Sequence, residues 1–345
     1  MILNAFLNMR CLLLIHFLLV TWSVSAAEGN ANLFTENKDD GISHKQISVS
    51  MVFGTNARSI GPSSVLVPLR QVGRLFMVEV RIDDIEGNLI FDTGASELVL
   101  NKTYFRNYAG YEKGTTAGGV TGKFGKITSA AVGQMDVSGI YYEKISADLA
   151  DLGHIEDSRG VKILGLFGIK MIDDLEVIFD AAKCEMRLSK TDRQGNRLDP
   201  EAGELKFEFN QELESNYHIM MIRGRIGDKT LNFCLDTGAE INTLNSNIPK
   251  KVMSTIKIVR RSTLGGARAG NIEALYGTMN ELEFGNHQFG IMNTVLIDLS
   301  SMSESYGFHI DGMLGYDFWR KGVFCFNLKK GTISFNVRKG EENEN

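Results

Sequence analysis

The sequence predicts an all-β chain built as two similar lobes, and three observations carry that prediction. Apolar and β-branched runs of strand length, broken by turn residues, dominate the chain from about residue 61 onward. Glycine is abundant and proline scarce, 36 against 4, which suits strands joined by tight turns that need positive φ. The chain also repeats itself at the scale of a half-domain, and its 345 residues suit two cores better than one.

Taken in order, the N-terminus reads as an export signal over residues 1–26. Arg10 precedes an apolar run from Cys11 to Val20, and small residues follow from Ser23 to Ala27. Cleavage after Ala26 or Ala27 fits this pattern, and Met9 is an alternative start. The run is about half the ~20 apolar residues of a spanning helix, so an uncleaved anchor is the weaker reading. The expected destination is the periplasm or the exterior, with no stable membrane span once the signal is removed. Residues 27–60 are polar at first and form a separate N-terminal segment, whose role as a pro-segment the sequence leaves open.

Lobe one is expected over 61–189 and lobe two over 204–337. Between them, residues 190–203 are polar, contain Pro200 and read as a linker, and 338–345 read as a disordered tail. Residues 65–82 have the pattern of a hairpin, with 217–226 in the matching place of lobe two. NLIFDTGASELVLN at 88–101 then matches LNFCLDTGAEINTLN at 231–245. Each copy continues to an apolar-Gly landmark, Ile163-Leu164-Gly165 in the first and Met313-Leu314-Gly315 in the second. Gly165 follows Asp92 by 73 residues, and Gly315 follows Asp236 by 79. Between these landmarks lie glycine-rich turns, AGGVTGKFG at 117–125 and LGGARAG at 264–270. A short helix and a final strand pair are expected after each landmark, at 176–188 and 322–335.

The chemistry is carried by Asp92 and Asp236. One Asp-Thr-Gly run arises by chance in a chain of this length with a probability of roughly 5–10%, so a single copy signals only a turn after a strand. Two copies at matching places in two halves signal more. Packing the halves about a pseudo-twofold axis brings the two carboxyls together at the interface. Carboxyls about 3 Å apart cannot both ionise readily and share one proton. The ionised member can take a proton from water while the other donates to a peptide carbonyl, so an amide is hydrolysed without covalent intermediate, metal or cofactor. Thr93 and Thr237 are expected to tie the loops together, and Gly94 and Gly238 to let the backbones approach.

These motifs, FDTGAS at 91–96, LDTGAE at 235–240, ILG at 163–165 and MLG at 313–315, resemble the aspartic proteases of the retropepsin–pepsin clan, most closely the bacterial retropepsin-like group. The resemblance covers about residues 65–188 and 204–336. It implies two half-barrel lobes related by a pseudo-twofold axis, an active site at their interface, and endopeptidase action on extended polypeptide. It also implies two flaps over the substrate, which would place Gly118 and Gly119 in one and Gly265 and Gly266 in the other. Retroviral enzymes are homodimers of one lobe, whereas this chain carries both, so a monomer is expected. Lobe two departs from lobe one where Glu240 stands in place of Ser96, which would make the lobes unequal.

Rival readings have less support. Thirty-seven basic against 42 acidic residues, without a basic stripe, argue against nucleic acid as a partner. No serine-nucleophile elbow or His-Glu-x-x-His helix is present, and TGKF at 121–124 lacks the first Gly and final Ser/Thr of a phosphate loop. Cys184, Cys234 and Cys325 match neither a zinc site nor a redox pair. The serious alternative is a non-catalytic module that binds extended peptide on the same fold.

Overall fold

The computed structural model describes residues 20–21, 59–108, 110–119, 122–199, 205–214, 219–266 and 270–338. The predicted signal segment apart from Val20–Thr21, the N-terminal segment up to residue 58, part of the linker and the tail beyond 338 lie outside these residues.

Lobe one begins with β1 (Ser64–Val72), β2 (Leu75–Ile82) and β3 (Ile85–Phe91). Their outer faces alternate with buried Val67, Leu69, Phe76, Val78, Val80 and Ile82, the period-two pattern of strands covered on one side. Two-residue turns join them. Gly73 and Asp83 hold positive φ there, at 63° and 49°, as a tight hairpin requires. The lobe continues with β4 (Leu98–Asn101), β5 (Gly110–Gly119), β6 (Gly122–Val137), β7 (Ile140–Ala150) and β8 (Ile163–Phe167). Helix α1 (Gly153–Arg159) stands between β7 and β8 and ends on Gly160 in the left-handed region. Strand order β6-β7-β4-β8-β3-β2 closes on itself because Arg81 and Ile82 pair with Asp136 and Met135 of β6. The result is a six-stranded barrel.

Lobe two repeats this path with β12 (Met220–Ile226), β13 (Lys229–Leu235), β14 (Asn242–Asn245), β15 (Lys257–Gly266), β16 (Gly270–Met279), β17 (Leu282–Phe284), β18 (Met292–Ile297) and β19 (Gly312–Leu314), with α2 (Ser300–Tyr306) in the place of α1. Even the unusual pairings recur. β8 runs parallel to β3 and antiparallel to β4, and β19 runs parallel to β13 and antiparallel to β14. One topological difference is closure. The single long strand β6 is replaced by β16 and β17, separated by Asn280-Glu281, which leaves a half-barrel.

A sheet shared by both lobes joins them. Its order is β1, β10 (Glu185–Lys190), β9 (Leu175–Asp180), β20 (Gly322–Asn327), β21 (Thr332–Val337) and β11 (Phe209–Glu212), all antiparallel. The seam falls between β9 and β20, where Ile178 faces Cys325, and the two halves of the sheet mirror each other about it. Beneath it, the largest hydrophobic cluster runs without a break from Phe76 and Phe91 of lobe one to Phe318, Trp319 and Phe324 of lobe two. Phe179 meets Phe76, Phe91 and Trp319 edge-on at ring separations of 5.2, 5.5 and 5.6 Å. Because this core belongs to both lobes, Phe179→Ala should cost about 3–5 kcal/mol and lower the urea midpoint of both lobes in one transition. Two separate steps with only one displaced would contradict a shared core.

Candidate active site

Strands β3 and β13 end side by side, and the residue after each is an aspartate. The strands stop there because the Asp side chain turns back on its own loop. Oδ1 of Asp92 accepts the N–H groups of Gly94 and Ala95 at 2.9 and 3.2 Å, and Oδ1 of Asp236 accepts that of Gly238 at 2.8 Å. Each aspartate N–H is held by the strand that crosses behind it, Asp92 by the Phe167 carbonyl at 3.1 Å and Asp236 by the Leu314 carbonyl at 3.0 Å.

The threonines that follow bind the loops across the interface. Thr93 Oγ1 donates to the Leu235 carbonyl at 2.9 Å and accepts the Thr237 N–H at 3.0 Å. Thr237 Oγ1 donates to the Phe91 carbonyl at 2.8 Å and accepts the Thr93 N–H at 3.0 Å. Both threonines are fully buried. These four bonds are the tightest statement of the pseudo-twofold symmetry.

Glycine at the third position lets the carboxyls meet. A Cβ on Gly94 would lie 2.6 Å from Oδ2 of Asp236, and one on Gly238 would lie 2.6 Å from Cγ of Asp92. Any side chain there would displace the opposite carboxyl. Asp92 and Asp236 are 8% and 9% exposed, so each presents only a small part of itself to solvent. Burial, followed by the neighbouring charge of Asp236 and a hydrogen bond between the two carboxyls, holds Asp92 well above the ordinary carboxylate range. The Gly94 and Ala95 amides pull the other way without prevailing.

Register corrects one landmark of the repeat. Gly165 pairs with Leu89 and Phe167 with Phe91, while Gly312 pairs with Phe233 and Leu314 with Leu235. The counterpart of Met313-Leu314-Gly315 is therefore Leu166-Phe167-Gly168, three residues beyond the Ile163-Leu164-Gly165 expected from sequence. Gly168 and Gly315 both lie against backbone of the Asp loops, at Ala95 and Glu97 in one lobe and at Ala239 in the other, where no side chain fits. The signal was present in the sequence. Gly168 follows Asp92 by 76 residues, closer to the 79 of lobe two, but the first apolar-Gly run concealed it.

The glycine-rich turns are the ends of two hairpins. In β5–β6, Gly118 pairs with Lys123 and Gly119 with Gly122; in β15–β16, Gly265 pairs with Asn271 and Gly266 with Gly270. Positions 120–121 and 267–269 at their tips lie outside the described residues. Strand β5 of lobe one approaches helix α2 of lobe two, so the first hairpin reaches across the lobe boundary.

Sequence reasoning left one part of the site undeveloped. Glu240, four residues after Asp236, is fully buried and ion-paired with Arg159 of lobe one. Burial outweighs the lowering by Arg159 and Arg74 and pushes its carboxyl up to about 7. Among the described residues, no group of three or more His, Cys, Asp or Glu side chains could hold a metal ion, and no helix is long and apolar enough to cross a membrane.

Residues 222–318, which contain the second Asp-Thr-Gly loop and α2, match the family model described as Aspartyl protease. This domain lies within lobe two, covers well under half of the chain, and supports a hydrolase of the protease kind. No curated protein matches the chain.

Two outcomes follow from this geometry. Thr93→Val leaves the Leu235 carbonyl and the Thr237 N–H buried without a partner, at a cost of about 2–5 kcal/mol in denaturant titration, whereas Thr93→Ser should recover most of it. In the fold Glu240 keeps its proton up to about pH 7, against 4.5 ordinarily. The folded state therefore binds more protons at Glu240 between those values, and the contribution of this group to stability is fully present below about 4.5 and is lost as pH rises through about 7. That slope, roughly 3 kcal/mol in all, should flatten in Glu240→Gln when melting is followed from pH 5 to 7.

Proposed function

We propose that this chain is a single-chain aspartic endopeptidase of the retropepsin-like kind, exported by its N-terminal signal, with Asp92 and Asp236 as its catalytic dyad. The observation that carries the reading is the pair of carboxyls, each lodged against the other loop's glycine and sharing a buried interface. Their hydrogen bond and the raised affinity of Asp92 for a proton support one proton held between two carboxyls, and the pair rather than either residue owns the two titration steps. The family match over residues 222–318 supports protease chemistry on the half that carries Asp236.

In the proposed reaction, a water bound between the carboxyls loses a proton to the ionised member and attacks the peptide carbonyl carbon. The protonated member donates to the carbonyl oxygen, giving a tetrahedral diol. The departing nitrogen then takes a proton from one carboxyl while a hydroxyl of the diol returns its proton to the other, the C–N bond breaks, and the dyad is left with its single proton. The threonine bonds keep the carboxyl positions fixed through these transfers, so little reorganisation accompanies the chemistry. An extended polypeptide would lie between the lobes under the β5–β6 and β15–β16 hairpins, bound through main-chain hydrogen bonds. With both lobes in one chain, the active particle is a monomer.

Cleavage of an unfolded protein by the mature chain from acidic to neutral pH tests this reading. Wild type should cut with a bell-shaped profile. Asp92→Asn and Asp236→Asn should each lower kcat by about 10³-fold or more, and a statine-type transition-state analogue should inhibit. A folded wild type that binds peptide but never cuts, and whose Asn variants bind equally well, would make the chain a peptide-binding module.

A further inference from the structure

The repeat around the two Asp loops is closely kept, and two of its departures meet in space. The first is Glu240, whose counterpart in lobe one is Ser96. The second is Arg159 at the end of α1, whose counterpart at the end of α2 is Tyr306. Arg159 Nη2 donates to Glu240 Oε1 across the lobe boundary. The Glu240 side chain is entirely buried and the Arg159 side chain is 11% exposed. At the β1–β2 turn a Cβ on Gly73 would lie 2.7 Å from Arg159 Nη1. From the same turn, Arg74 donates to the Glu240 carbonyl at 3.2 Å and to Asp317 at 3.3 Å. Two arginines of lobe one thus grip the segment just after Asp236.

At the mirror position the partners are different ones. The Ser96 carbonyl accepts the Lys170 N–H of its own lobe at 3.2 Å, and the Tyr306 hydroxyl makes no hydrogen bond among the described residues. The Asp236 loop also has less internal support. Its carboxylate accepts one loop amide, whereas that of Asp92 accepts two.

We propose that Arg159 and Glu240 are an interlobe positioning pair that sets the Asp236 loop against lobe one, and with it the relative placement of the two carboxyls. A protonated Glu240 keeps a carbonyl oxygen for Arg159, so the grip does not depend on its charge alone. The same pair makes the lobes non-interchangeable. Two copies of lobe one would face two arginines with serines, and two copies of lobe two would bury two glutamates without the arginine that bonds them.

The role rests on the dyad proposed above, so its test needs a measurement that does not require turnover. In the full mature chain, the variants are Arg159→Met, Arg159→Lys, Glu240→Gln, and the double change Arg159→Tyr with Glu240→Ser, which copies the residues of the mirror side. Each is followed by kcat and KM on an unfolded protein and by the ¹³C carboxyl titration of Asp92 and Asp236. Arg159→Met should lower kcat by about tenfold or more, since small displacements of reacting groups are costly, with KM changed by less than about threefold. It should also displace the titration of the carboxyl pair. Arg159→Lys should restore most of both. The double variant should fold, because no charge is left unpaired, yet stay low in kcat with a displaced titration. If it keeps wild-type kcat and titration, the pair does not position the loop. If Arg159→Met fails to fold, the double variant and Glu240→Gln decide. If wild type itself cuts nothing, the protease reading falls, and the titration still judges the pair.

Discussion

Two carboxyls lodged against each other in a buried interface must be held there against their own repulsion and loss of water. The reciprocal bonds of Thr93 and Thr237 meet that constraint. Each hydroxyl donates to one lobe-crossing carbonyl and accepts one lobe-crossing amide. All four bonds lie in a fully buried setting.

The rest of the fold supplies what those bonds need. The strands behind each loop hold the Asp N–H groups through Phe167 and Leu314, and small clusters matched residue for residue back them up. Leu75, Ile90, Ala95, Ile155 and Leu166 pack in lobe one as Ile219, Cys234, Ala239, Met302 and Met313 pack in lobe two. The six-stranded sheet and the aromatic core around Phe179 and Trp319 then join the lobes as one body, so the loops meet in one register. Symmetry would make two equal loops. The unclosed barrel of lobe two and the buried Arg159–Glu240 pair break it.

Much of this was legible along the chain because it is local or repeated. The Asp-Thr-Gly loops declare themselves by residue type and the apolar strands before them, and hairpins such as β1–β2 and β9–β10 by alternation and turn residues. The apolar-Gly landmark was misplaced by three residues, since Ile163-Leu164-Gly165 and Leu166-Phe167-Gly168 look alike as strings. Only the pairing of Phe167 with Phe91 distinguishes them. The helix ending at Arg159 escaped notice for a similar reason: seven residues with Ile155 as the one buried apolar side chain leave almost no periodic signal.

The sequence by itself determined that the chain is a duplicated β-protein with one aspartate loop per half, because residue identity and spacing are properties of the string. Tertiary structure alone decided what lies within reach of what: the threonine bonds across 144 positions, the carboxyl against the opposite glycine, the crossing strand that holds each Asp, and the arginine that meets Glu240 from the other lobe. Those relations depend on how two lobes pack about their seam. Packing is set by the summed burial of side chains distant in sequence, which no local pattern encodes.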